Sequence, residues 1–122
     1  MQMRITAGRV SCVATLSDTP TATAIWDALP IEGRASRWGD ELYFSIPLEL
    51  EEDDDAREVV EVGAVAYWPP GTAVCIFWGP TPASRDQEPR AASRVNVFGQ
   101  IGPEAAHLES VRSGASVRLE RA

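Results

Sequence analysis

Residues 58 to 82 constrain this chain more than any other stretch. They read Glu58-Val-Val-Glu-Val-Gly-Ala-Val-Ala-Tyr67-Trp68-Pro69-Pro70-Gly71-Thr-Ala-Val-Cys75-Ile-Phe77-Trp78-Gly79-Pro80-Thr81-Pro82. Two short apolar runs, Val65 to Trp68 and Ala73 to Trp78, flank a Pro-Pro-Gly turn, and Gly-Pro-Thr-Pro stops the second run. Such bounded runs predict two strands. Proline second in a turn and glycine third is type II turn chemistry. Trp68-Pro69 is a candidate cis bond, although most bonds of this kind are trans.

The same punctuation organises the rest of the chain. Met3 and Ile5 alternate with Arg4 and Thr6, Gly8 interrupts, and Val10, Cys12, Ala14 and Leu16 alternate after it. Period-2 patterning around a glycine predicts a hairpin of residues 2 to 7 with 9 to 16. Asp18 or Thr19 can cap a helix, and Pro20 suits its first turn because the missing N–H costs nothing there. Ile25, Trp26 and Leu29 follow at helical spacing, and Pro30 ends the element. Residues 31 to 38 and 41 to 48 read as strands joined at Gly39-Asp40. Val95 to Ile101 reads as another, with Val95 and Val97 on one face. Pro103 opens a short helix that Gly114 closes, and Val117 and Leu119 mark a last strand.

Two stretches read as surface. The run Glu51-Glu-Asp-Asp-Asp55 repels itself and predicts a solvated loop; its spacing lacks the alternating ligands and the glycine of a calcium loop. Residues 79 to 92, rich in proline, serine, alanine and charge, predict a long surface loop of the kind that lines sites.

At 122 residues the chain fits one domain, residues 1 to 122, with no second unit and no internal repeat. The expected fold class is mainly β: a closed barrel of about eight short strands, with a helix near 20 to 29 and a short helix near 103 to 111. A chain of this size buries roughly two thirds of its unfolded surface, so no disulfide or metal is needed to hold it. Cys12 and Cys75 lie in apolar runs and read as reduced core thiols.

Charge narrows the partners. The formal net charge is -7, with 18 acidic residues against 11 basic ones, and all the basic residues are arginine. Phosphate recognition needs a positive field, so nucleic acid and an anionic membrane are not expected partners. Without lysine there is no Schiff base, phosphate-loop lysine or lysine general base. No apolar run approaches the ~20 residues that span a bilayer, and the N-terminus carries no signal-peptide core, so the expected location is the cytoplasm. One histidine, His107, and two separated cysteines make a zinc site or a Ser-His-Asp constellation improbable. No metal and no cofactor is expected.

The strings Trp38-Gly39-Asp40-Glu41-Leu42-Tyr43-Phe44, Tyr67-Trp68-Pro69-Pro70-Gly71, Gly79-Pro80-Thr81-Pro82 and Val95-Asn96-Val97 resemble a small family of prokaryotic cyclophilin-like proteins. The strand Val95-Asn-Val-Phe98-Gly99-Gln100-Ile101 is similar to the Val-Val-Phe-Gly-Lys-Val strand of cyclophilins proper. The resemblance covers nearly the whole chain and implies the cyclophilin-like barrel. Catalytic cyclophilins carry an arginine-bearing strand followed by Phe-Met-Gln-Gly-Gly-Asp. The matching stretch here is Arg34-Ala-Ser-Arg37-Trp38-Gly39-Asp40-Glu41, so Arg34 or Arg37 would stand for the catalytic arginine, and the glutamine is missing.

Prolyl isomerisation works by binding the twisted amide better than the planar ones, with an arginine bonding the proline nitrogen. The departures from the motif favour a binding module for a peptide or small molecule, with no established catalysis. An atypical prolyl isomerase and an enzyme on an unrelated small substrate are the alternatives. The oligomeric state is open. Ligand contacts are expected from the aromatic faces of Trp38, Tyr43 and Trp78 and the polar groups of Glu41, Arg94 and Asn96, beside the loop at 79 to 94.

Overall fold

The computed structural model describes residues 1–122. Strands β1 (Gln2–Ala7) and β2 (Val10–Leu16) form the expected hairpin, in register from Gln2 opposite Thr15 to Ala7 opposite Val10. Gly8 turns it with a φ of 58°, a backbone state that glycine adopts at no steric cost. Helix α1 (Pro20–Ala28) starts as its sequence predicts: the Thr19 side chain accepts from the Ala22 N–H at 3.1 Å, and Pro20 sits in the first turn. Thr21, Ala22 and Ile25 are the residues it buries. The peptide bond Leu29–Pro30 is cis, while Trp68–Pro69 is trans.

The chain continues through β3 (Ile31–Arg34), β4 (Ser36–Arg37), β5 (Glu41–Ser45), β6 (Arg57–Val59), β7 (Ala64–Trp68), β8 (Ala73–Phe77), β9 (Arg90–Ile101) and β10 (Ser116–Arg121). Pro69–Gly71 is a single 3₁₀ turn rather than a type II turn. The positive φ falls on Thr72, at 47°, not on Gly71. Residues Pro103–Ser110 form a 3₁₀ helix that buries Ala105 and Leu108.

The expected closed barrel of about eight strands is not what forms. The strands build one ten-stranded sheet in the order β3-β10-β1-β2-β9-β7-β8-β5-β4, with β6 pairing β9 off this path, and hydrogen bonds do not close it. The two ends, β3 and β4, are halves of one segment separated by Ala35. β3 pairs β10, whereas β4 pairs β5. Ala35 still donates to the Ala115 carbonyl at 2.9 Å, and by Arg37 the backbone N–H has turned to Ser113 Oγ. The seam is thus crossed by the covalent chain and by packing of Gly33 against Phe44, not by a ladder. A Cβ at Gly33 would lie 3.3 Å from both Phe44 Cδ2 and the Ser45 carbonyl oxygen.

The sheet separates two cores. On its inner face lies the larger one, including Met3, Ile5, Ile25, Leu42, Phe44, Val65, Tyr67, Val74, Ile76, Phe98 and Leu119. Tyr67 is fully buried, and its hydroxyl donates to the Leu48 carbonyl and accepts from Leu50 N–H, both at 3.0 Å. On the outer face of β5, β8, β7 and β9 lies a smaller cluster: Val60, Ala64, Ala66, Cys75, Phe77, Ala91 and Val95. Both cysteines are free and buried.

Strand β9 holds the two regions together. Its pairing with β7 slips between Val65 and Ala66, because Val65 opposes Gly99 while Ala66 opposes Val97. The extra residue, Phe98, is a bulge that shifts the alternation along the strand. Val95 joins the outer cluster, and Phe98 and Ile101 the inner one. No helix is long and apolar enough to cross a membrane.

Candidate functional site

On strand β5, Leu42 and Phe44 point into the main core, so Glu41 and Tyr43 must point outward. Outward is not into water. Strand β8 lies alongside, with Tyr43 opposite Cys75 and Glu41 opposite Phe77. The first part of β9 brings Ala91, Ala92 and Val95, and β7 ends at Trp68. With Trp38, Glu41, Tyr43 and Cys75, these last four residues line a cavity of about 260 Å³, apolar except for Glu41. The space exists because its neighbours are small: Cys75, Ala91 and Ala92 fill little of what Leu or Phe would fill.

The aromatic walls are fixed locally. Trp68 Nε1 donates to Ser93 Oγ at 2.7 Å, tying the end of β7 to β9. Gly71 lets the indole lie flat against the turn that follows, since a Cβ there would come within 2.5 Å of Trp68 Cε3. Trp38 is held by its backbone N–H on the Glu41 carbonyl at 2.9 Å, and Gly39 turns between them at a φ of 62°. A Cβ at Gly39 would press on Thr81 Cα and Pro82 Cδ, so this turn packs directly on the loop at 79 to 89. Glu88 orders that loop by accepting from Arg85 N–H and Asp86 N–H, which hold its carboxyl down to about 2.

Glu41 is the unusual residue. Its side chain is 4% exposed, and its Oε1 has no hydrogen-bond partner. Buried carboxylates are costly unless paired, so burial pushes its pKa from 4.5 up to about 7, offset in part by the Cys75 thiol. The Cys75 thiol is in turn pushed well up by burial and then by the Glu41 charge, so it stays protonated and is a poor nucleophile.

The family model described as Cyclophilin-like matches residues 1–120 of the chain. The chain belongs to the cyclophilin-like family. The fold agrees with that of the hypothetical protein AF2241 from Archaeoglobus fulgidus, known from its solution structure. That protein is 44% identical over 100% of this chain and 95% of its own, with a TM-score of 0.83. McbB, solved in complex with tryptophan, is similar at 15% identity with a TM-score of 0.74, which is a likeness of fold alone. That match takes in 98% of this chain and 44% of McbB. No curated protein matches the sequence.

Within this cyclophilin-like fold, the residues singled out from sequence separate into three places. Trp38, Glu41 and Tyr43 come together at the cavity. Trp78 is 8% exposed, packs with the inner core and donates its indole N–H to Glu109 Oε2 at 2.8 Å. Arg94 serves the acidic loop, donating to the Ala56 carbonyl and pairing with Glu52 at 3.5 Å. Asn96 is buried where β9, α1 and the same loop meet. It accepts from Asp53 N–H at 2.8 Å and donates to Thr21 Oγ1 and the Glu51 carbonyl.

Neither arginine of the motif reaches the cavity. Arg34 donates to the Gly114 carbonyl at 3.0 Å on the exposed side of the seam. Arg37 donates to the carbonyls of Gly39, Glu109 and Val111 and to the carboxylates of Asp40 and Glu109. Its guanidinium also lies 4.9 Å from the Trp78 ring. It clamps the turn at residue 39 to the 3₁₀ helix.

Trp68, Cys75, Ala91, Ala92 and Val95 complete the lining and were not singled out by sequence. Alternation does place Cys75 on the face opposite Val74 and Ile76. A reading that paired β5 with β8 would have set it beside Tyr43.

Proposed function

We propose that the chain is a binding module for a small, mainly apolar molecule, held in the outer-face cavity with one hydrogen-bonding group against Glu41. The observation that carries this reading is the buried Glu41 Oε1, left without a partner in an aromatic-lined space. An unsatisfied buried polar atom costs about 1–3 kcal/mol, and a ligand donor recovers that cost. The cavity volume of about 260 Å³ limits the occupant. It lies below the ~300–1,000 Å³ of sites for drug-sized ligands, so one ring system or a single apolar peptide side chain fits. The complex of McbB with tryptophan is a precedent for a small ligand on a chain that contains this fold.

The isomerase alternative needs an arginine beside the bound amide, and Arg34 and Arg37 spend their donors elsewhere. A small-molecule enzyme would rest on Glu41 as well, because a carboxyl with a pKa of about 7 has the proton affinity of a general base. The lining adds only Cys75, held as a thiol, and Tyr43 as further reactive groups. Binding without turnover is therefore the favoured reading.

Titration of the labelled protein with benzyl alcohol, followed by amide and indole NMR signals, tests it. The expected shifts are at the indole N–H groups of Trp38 and Trp68 and the amides of Cys75 and Val95. Ala92→Leu, an exposed change at the cavity wall, should abolish them while the protein stays folded. Shifts confined to the polar groove around Thr6, Arg34 and Arg118, or none at all, would sink the proposal.

A further inference from the structure

The cavity holds one ionisable carboxyl and no cation. Its wall is otherwise aromatic or small and apolar, and no arginine lines it. Of the arginines on the strands around it, Arg37 pairs with Asp40 and Glu109, Arg90 with Glu88 and Glu58, and Arg94 with Glu52, while Arg57 on β6, opposite Val95, is exposed and outside the lining. Glu41 is 4% exposed with Oε1 unpaired and no basic side chain beside it in the lining, so its negative charge is poorly solvated and has no counter-ion. A neutral donor would satisfy the oxygen and leave the charge bare. A cationic donor satisfies both. Three aromatic rings, of Trp38, Tyr43 and Trp68, share the wall, and aromatic faces attract organic cations most strongly where water is excluded.

We infer that the ligand is an organic monocation, an ammonium on a compact apolar or aromatic body, whose N–H bonds Glu41 Oε1 among the three aromatic side chains. The inference rests on the reading of the cavity as the ligand site. The chain's net charge of -7 favours the approach of cations over anions. Binding a cation holds Glu41 ionised, so binding and loss of the Glu41 proton are linked. Apart from Glu41, the titratable groups facing the cavity are Tyr43 from the same strand and Cys75 from β8. The segments before β5, at the end of β7 and in β9 bring none.

Three probes that share one ring test the charge directly: benzylammonium, benzyl alcohol and phenylacetate. Each is titrated by calorimetry, with the Trp38 and Trp68 indole signals reporting the place of binding. The expected order is benzylammonium tighter than benzyl alcohol by about tenfold or more, with phenylacetate weakest. Because Glu41 ionises near 7, benzylammonium affinity should rise about tenfold between roughly pH 6 and pH 8, while benzyl alcohol stays flat. Glu41→Gln should remove the preference and the pH dependence but still bind benzyl alcohol. Equal binding of ammonium and alcohol, a preference for phenylacetate, a flat pH profile for benzylammonium, or a preference that survives in Glu41→Gln would each overturn the cation inference. These outcomes leave the cavity as a ligand site. Failure of all three probes to bind there would overturn both readings.

Discussion

The two faces of the β5-β8-β7-β9 sheet are built by the same strands and have opposite characters. The inner face packs Leu42, Phe44, Val65, Tyr67, Val74 and Ile76 against α1 and the rest of the sheet, and its buried polar side chains Tyr67 and Asn96 are hydrogen-bonded. The outer face carries Ala64, Ala66, Cys75 and Ala91, with a carboxyl among them and space left over. Alternation along a strand decides which face a side chain takes. The size and polarity of the residues then decide whether that face becomes solid core or a receptive surface.

The largest expected contrast is between neighbours on β5. Phe44→Ala removes a 1% exposed ring from a filled core and should destabilise the protein by about 3–5 kcal/mol. Tyr43→Ala, half-buried beside an existing cavity, should cost less than about 1.5 kcal/mol, since less buried area is lost and a space already present is widened rather than a new void opened. Urea unfolding of both variants measures the difference. Equal costs would mean that the outer face is packed as tightly as the inner.

The second contrast depends on pH. The folded-state pKa of Glu41 is raised from 4.5 to about 7, so the native protein holds this proton more tightly than the unfolded chain. The stability it contributes is whole below about pH 4.5 and is lost as pH rises through about 7. The loss amounts to about 3 kcal/mol. Glu41→Gln lacks this slope, so the variant should gain on the parent by that order between roughly pH 4 and pH 8. Parallel stability curves for the two proteins would show that Glu41 is solvated, and the case for an unpaired carboxyl would fall.

What the sequence reveals follows the same division. The hairpin at Gly8, the helix begun by Thr19 and Pro20, and the strands on either side of Pro69-Pro70-Gly71 are local events, written in turn residues and periodicity. The open seam is not local. Residues 31 to 38 read as one strand, and only the competing neighbours β10 and β5 split it at Ala35. Strand β6, Arg57–Val59, is short, exposed and set only by pairing with β9, so no pattern announces it. The bulge at Phe98 breaks the alternation that a sequence reading must assume. At the site, Glu41 and Tyr43 alternate with Leu42 and Phe44 and so read as the polar side of a strand. Period 2 gives the side but not what covers it, and the cover comes from Trp68 and β9, distant in sequence. Trp78 lies one residue beyond β8, where its indole turns to Glu109 and the inner core.

A third difference lies in how each face treats its polar atoms. Tyr67→Phe leaves the Leu50 N–H and the Leu48 carbonyl without the hydroxyl they share. The expected cost is about 1–3 kcal/mol, that of stranding buried polar groups with no water to replace the partner. Thermal melts of the two proteins measure it. A neutral result would show that water reaches the segment at 48 to 50.

The smallest expected effect on stability falls on the outer face, at Ser93. Its hydroxyl accepts the Trp68 indole N–H at 2.7 Å, and Trp68 is only half-buried. In Ser93→Ala that N–H can turn to water, so the cost should be about 1 kcal/mol or less. The effect on the cavity should be larger in proportion. Trp68 stays pressed toward Gly71 on one side, but nothing then fixes its edge to β9, and one wall loses its position. Benzyl alcohol affinity should fall several-fold, with the Trp68 indole signal broadened and the Trp38 signal unchanged. Unchanged affinity with a sharp, shifted Trp68 signal would mean that packing on the Pro69–Gly71 turn alone positions the wall, and that the outer face needs no polar tie of its own.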